Sequence, residues 1–310
     1  MGFTLIFIFV LEISDGIWYY KVKYFLLEGL VLELSFLQNL ILGFLSGIAE
    51  VLPVSAQAHR LVLLRMLGAE GDSAILRFMI HIGTIGALYF YNKAGISHMM
   101  RARRLARVPK SRRKRPLDTE ALMDFSLLRT ATIPVILVFC FYNRIAGISV
   151  KLVWIALLLL INGIILYVPQ YLPGSNKRSG ALSRIDSLCF GFGSALGILP
   201  GISSIGGAVS IGSVRGMDLN KALSFAMLLN IPVNIGFALF DLVALVNGGA
   251  GSLAFSTLIF SLFAGIAAFL GILLGIYLLR KILSLVGYCV FGFYSWGAAL
   301  LTFLFYLAAA

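Results

Sequence analysis

Two apolar runs of small residues, each cut by a Leu-Pro pair, constrain this chain more than any other feature. They read GFLSGIAEVLPVSAQAH at 43–59 and FGFGSALGILPGISSIGG at 190–207. Pro53 and Pro200 each remove a backbone donor and disfavour helix at the preceding residue. The chain around them is 60% hydrophobic and only 12% charged, with mean hydropathy +0.98. A soluble domain carries about a quarter charged residues. In lipid, non-helical backbone persists only where protein buries it or where it lines a wet cavity. Two breaks in corresponding positions of two halves point to a binding site made by an internal repeat.

The fold class is therefore an all-α, multi-pass integral membrane protein. The apolar runs are continuous rather than alternating, which excludes a β-barrel. The 32 glycines suit close helix packing in lipid. The formal charge is +12, and nine of the 25 basic residues fall in RARRLARVPKSRRKR, 101–115. No acidic residue occurs between Ser73 and Leu117. A cytoplasmic loop that meets anionic lipid headgroups accounts for this. With no aromatic residue interleaved, the run does not read as nucleic-acid binding. Cys140, Cys189 and Cys289 sit in apolar stretches without CxxC spacing, so they read as packing residues.

Residues 1–35 form an N-terminal extension with three readings: an interfacial helix, a weak extra span, or an overextended start. No basic region precedes the apolar Phe3–Leu11, which argues against a cleaved signal peptide. Six spans follow at 74–92, 124–142, 152–168, 222–246, 253–276 and 284–307. Segments 38–67 and 187–215 carry the Pro breaks and read as re-entrant helix pairs. With loop 93–120 inside, the basic residues Lys177, Arg178, Arg184, Arg280 and Lys281 also land inside. This gives an inverted-topology repeat: 36–170 and 171–310, each one re-entrant pair plus three spans. The alternative is eight full spans, with Glu50 and His59 carried across lipid.

Ser55 is placed to N-cap a half-helix running to Leu67, and Ser203 one running to Val214. The N–H groups of Ala56, Gln57 and Ala58, and of Ser204, Ile205 and Gly206, would then point to the membrane centre. Two helix N-termini converging there suit a phosphate or diphosphate; two kinked packing helices are the plainer reading. Glu50 and His59 are ionisable groups at mid-membrane, a functional signal by default. They fit a general-base pair or a buried polar pair that holds the break together. His81 reads as a helix-packing histidine, and Arg60, Arg65 and Arg77 as snorkelling side chains.

At these residues the chain resembles the undecaprenyl diphosphate phosphatases of the bacitracin-resistance type. GIAEVLPVSAQAHRLVLLRMLG is similar to that family's E-x-x-x-E-F-L-P-[IV]-S-S-[ST]-G-H signature, and LGILPGISSIGGAVSIG to its P-G-x-S-R-S-G signature. RFMIHIGTIGALYFY and FAMLLNIPVNIGFALFDL resemble the helices that follow each. The likeness runs from 40 to 307. It implies inverted repeats, two re-entrant pairs, and hydrolysis of undecaprenyl diphosphate to the monophosphate, which recycles the cell-wall lipid carrier at the plasma membrane.

By that resemblance Glu50, His59 and Ser55 are the catalytic candidates. Ala56, Gln57, Ser203, Ser204 and Gly206 would hold the polyprenyl diphosphate. The departures weigh heavily. The family's first Glu is Ser46, its second Ser, one proposed nucleophile, is Ala56, and the Gly before His is Ala58. Its essential Arg is Ser204, followed by Ile205. Phosphoryl transfer relies on positioned positive charge and donors, and losing one donor costs about 10²–10³ in rate. Reduced activity is expected unless another Arg, or a divalent cation such as Mg or Ca, replaces the clamp. The rival expectation is binding or translocation of a polyprenyl phosphate without hydrolysis.

Overall fold

The structure is a computed structural model that describes residues 34–69, 73–142, 151–171, 182–248 and 254–309. The N-terminal extension lies outside the described residues as far as residue 33. Among the described residues all regular structure is helical: α1 Phe36–Val51, α2 Ala56–Met66, α3 Ala74–Ala106, α4 Thr119–Phe139, α5 Leu152–Tyr167, α6 Arg184–Ala195, α7 Ser204–Val214, α8 Leu219–Asn247, α9 Phe255–Val286 and α10 Val290–Ala309. Six of them, α3, α4, α8, α9, α10 and α5 together with the 3-10 turn Val168–Tyr171 that continues it, are long and apolar enough to cross a membrane.

Local chemistry sets the boundaries. Ser35 and Gln38 form a capping box that starts α1, and Ser183 and Asp186 form one that starts α6. Asp118 and Asp218 cap α4 and α8. Helix α3 runs to Ala106, well past the apolar stretch ending at 92, because Ala, Met, Leu and Arg sustain a helix once it leaves lipid. Arg113 folds back to donate to the carbonyls of Ala106 and Val108 near the end of α3, at 3.2 and 2.8 Å.

Helices far apart in the sequence pack together: α1 lies on α9, α6 on α4, α3 against α8, and α5 against α10. Close backbone approach makes this possible. A Cβ on Gly43 or Gly47 would strike the carbonyls of Ala264 or Ala268, and one on Gly191 would strike that of Ala131. Small-residue contacts of this kind replace the hydrophobic drive that lipid removes. The largest buried cluster joins Val51, Val54 and Ala56 beside the first break to Ile198, Ile205 and Ala208 beside the second. At the far end of the second pair, Arg215 Nε donates to Asp186 Oδ1 at 2.6 Å. That bond ties the residue after α7 to the first turn of α6, so the pair folds back on itself.

Candidate functional site

The first break is short. Leu52 is extended (φ −77°, ψ 143°), as a residue before proline should be, and Ser55 takes φ +67°. That left-handed backbone is costly for a non-glycine residue and persists only when its surroundings fix it. It turns the Ser55 hydroxyl away from α2, which starts at Ala56 without a side-chain cap. The capping expected of Ser55 is thus corrected: the residue sits at the cap position, but its hydroxyl is used elsewhere. Ala56, Gln57 and Ala58 keep N–H groups with no side-chain partner among the described residues.

In the second break, a 3-10 turn at Leu196–Ile198 leads to Leu199, which is extended (φ −83°, ψ 120°). Gly201 follows Pro200 at φ +134°, where a Cβ would collide with Leu158. Ser203 caps α7 as expected, accepting from the Gly206 N–H at 3.1 Å. The Ser204 hydroxyl points back to α6, donating to the Ser194 carbonyl at 2.9 Å and lying 2.8 Å from the Ser194 hydroxyl.

The two breaks touch. Ser55 Oγ accepts the Gly201 N–H at 3.0 Å. Asn162 of α5, fully buried, spans both: its Oδ1 accepts from Ser203 N–H at 2.9 Å, and its Nδ2 donates to the Pro53 carbonyl at 3.2 Å and to Ser295 Oγ at 2.9 Å. A Cβ on Gly206 would lie 3.1 Å from Pro53 Cβ. Tyr288 donates to the Gly206 carbonyl at 3.2 Å.

Glu50, in the last turn of α1, accepts at Oε1 from Asn230 and Asn234 Nδ2 of α8, both at 2.9 Å. His59 engages other partners. Its Nδ1 donates to the Ser55 carbonyl at 2.8 Å, which leaves Nε2 to accept from Tyr294 OH at 2.8 Å. The two sequence candidates therefore flank the same break without a hydrogen bond between them. His81, expected only to pack, instead reaches Asn234 Oδ1 at 2.8 Å and so joins the Glu50 network. Arg77 and Arg60 do not snorkel. Arg77 Nε donates to Asp241 Oδ1 at 2.7 Å, and Arg60 is only 5% exposed. Ala56 is buried and Gln57 half-buried beside them. Among the described residues no three His, Cys, Asp or Glu side chains cluster as metal ligands would.

Asn162, Asn230, Asn234, Asp241 and Tyr294 escape a motif-based reading. A signal was present for most of them. Asn230, Asn234 and Asp241 are spaced i, i+4, i+11 in FAMLLNIPVNIGFALFDL, which puts them on one helix face at 3.6 residues per turn. Asn162 is the one polar side chain in LVWIALLLLINGIIL. Polar groups so placed in apolar spans mark function or helix pairing.

Residues 39–301 match the family described as bacitracin resistance protein BacA. The chain is also similar to proteins named undecaprenyl-diphosphatase. That of Nocardioides sp. (strain JS614) is 30% identical over 69% of this chain and 77% of its own length. That of Methanobrevibacter smithii is 28% identical over 87% and 98%. Undecaprenyl-diphosphatase 1 of Shouchella clausii is 28% identical over 88% and 97%.

Proposed function

The chain belongs to the bacitracin resistance protein BacA family, and from that premise we propose that it is a slow undecaprenyl-diphosphate phosphatase of the plasma membrane. Water and the polyprenyl diphosphate yield the polyprenyl monophosphate and inorganic phosphate. The observation that carries this reading is the meeting of the two helix breaks at Ser55 and Gly201. It sets the uncapped start of α2 beside the start of α7, where an anionic headgroup is attracted. The packing of α1 on α9 and of α6 on α4 supports an inverted repeat with two re-entrant pairs, α1–α2 and α6–α7.

In this reading Ala56, Gln57 and Ala58 offer backbone donors to the terminal phosphate, and the Ser203 hydroxyl faces them across the break; the N–H groups of Ser203 and Gly206 are already held by Asn162 Oδ1 and Ser203 Oγ and would have to let go before they could bind it. The buried Arg60 supplies positive charge from the first half. His59, with Nε2 as acceptor, and Glu50 take up protons from the attacking water or from Ser55. The rate is low because Ser204 stands where the family signature has Arg, and its hydroxyl is bound to Ser194. A cation is worth more than a hydroxyl against the charge that develops on a transferring phosphoryl group.

That same substitution, together with Ala56 in the second Ser slot, favours one other reading: the site binds or translocates a polyprenyl phosphate without cleaving it. Purified protein mixed with undecaprenyl diphosphate separates the two. The phosphatase reading expects inorganic phosphate above the no-protein rate. Binding of the lipid with no phosphate release selects the second reading, and no binding rejects both.

A further inference from the structure

The network behind Glu50 has a feature that neither reading uses. Asn234 Nδ2 donates to Glu50 Oε1 and to the Asn230 carbonyl, both at 2.9 Å. Those two acceptors fix the amide, so its Oδ1 faces His81 Nδ1 at 2.8 Å. An amide oxygen only accepts, so Nδ1 must carry a hydrogen. The neutral imidazole then has a bare lone pair at Nε2. That atom faces Asp241 Oδ2 at 3.6 Å. Oδ2 is buried and has no hydrogen-bond partner, whereas Oδ1 is held by Arg77. His81 is 4% exposed and Asp241 3%, which leaves little room for water to separate them. Two acceptors facing each other in a dry interior repel, and one proton between them turns the repulsion into attraction.

From this geometry we infer that His81 and Asp241 form an intramembrane binding site for one exchangeable proton, held between Nε2 and Oδ2 and linked to Glu50 through Asn234. Among the described residues, Asp241 on α8, Glu50 on α1 and Arg60 on α2 are the charged groups in reach of the imidazole. Arg77, on the same helix as His81, is occupied by Asp241. The extra proton raises the charge of the cluster by one. Thr84, one turn after His81, also has a buried hydroxyl without a hydrogen-bond partner among the described residues. If polyprenyl phosphate binds beside Glu50, as in the function proposed above, its headgroup will bind more tightly to the protonated form. Lipid release will then be coupled to loss of the proton.

The chain has three histidines, His59, His81 and His98. Uniform ¹⁵N-histidine labelling in lipid nanodiscs therefore gives three imidazoles, and His81→Gln assigns the one of interest. The experiment needs no lipid substrate, so its failure is distinct from failure of the phosphatase reading. The expected result is that His81 Nδ1 stays protonated while Nε2 shows a single titration. Asp241→Asn should lower the apparent proton affinity of that step by about tenfold or more, because an adjacent anion is lost. Glu50→Gln should lower it by a smaller factor. Asn234→Ala should release Nδ1 and mix the two tautomers. An Nε2–H tautomer in the wild type, a titration unmoved by Asp241→Asn, or a midpoint set by sodium concentration at constant pH would each overturn the inference. Retained helical circular dichroism in each variant makes an unmoved titration decisive.

Discussion

Ser55 accepts a hydrogen bond from the Gly201 amide across 146 residues of sequence, and this contact joins the two helix breaks at 3.0 Å. It also explains the strained φ of +67° at Ser55. The backbone there is held by a partner in the other half rather than by the helix it precedes. The junction of the two breaks is thus built by segments far apart in the sequence.

Asn162 should be the structural linchpin of that crossing. Asn162→Ala strands the Ser203 N–H and the Pro53 carbonyl in a buried setting, at about 1–3 kcal/mol per orphaned group. Thermal unfolding in detergent should fall by several degrees, and Asn162→Asp should not restore it, because a carboxylate cannot donate to Pro53. A midpoint within a degree of wild type for Asn162→Ala would contradict this role.

The ends of the second helix pair give a pH dependence. Burial works against the charged form of Asp186. The Ser183 backbone and hydroxyl donors and Arg215 outweigh it, so its pKa lies below the ordinary carboxylate value. A carboxyl whose folded pKa is depressed stabilises the fold above its unfolded pKa, and that contribution is lost as pH falls toward the folded value. Melting temperature should therefore drop as pH is lowered from 5 toward 3. Asp186→Asn should start lower at pH 7 and lose less over the same range. Parallel curves for the two proteins would refute the assignment.

The proposed inverted arrangement predicts sidedness. In a chain freed of its native cysteines, a single cysteine at Lys110 should label from the cytoplasm and one at Gly248 from outside. Labelling of both from one face would rule out the two-sided repeat.

If the absent cation limits turnover, Ser204→Arg combined with Ala56→Ser should raise phosphate release by about an order of magnitude or more. The Arg forfeits the bond to Ser194, so some stability will be lost. A double variant slower than wild type at equal folded fraction would assign the chemistry to a different constellation.

Much of this arrangement was legible in the residues. Pro53 and Pro200 locate both breaks, and so the starts of α2 and α7, almost to the residue, because proline acts locally and Ser203 caps α7. Helix α3 outruns its expected end because hydropathy marks lipid contact, while Arg101–Ala106 remain helical in the polar region. The direction of the Ser55 hydroxyl was not legible, since it depends on Gly201 in the other half. Nor was the separation of Glu50 from His59: nine residues apart in sequence, they face different helices, α8 and α10. Asn230 and Asn234 were readable as a polar face, but their partner carboxylate lies 180 or more residues away.

Glu50→Gln tests the central claim most directly. Gln keeps an acceptor oxygen for Asn230 and Asn234 but cannot hold a charge or take a proton. Melting temperature, phosphate release from undecaprenyl diphosphate and lipid transfer between leaflets should be measured on the same preparations of wild type, Glu50→Gln, His59→Gln and the double variant. The account predicts near-wild-type stability for Glu50→Gln with loss of both phosphate release and transfer, and a double variant little worse than either single, as members of one unit are not additive. Full function in Glu50→Gln, or function lost only in step with folding, would show that Glu50 merely packs the break and that the site lies elsewhere.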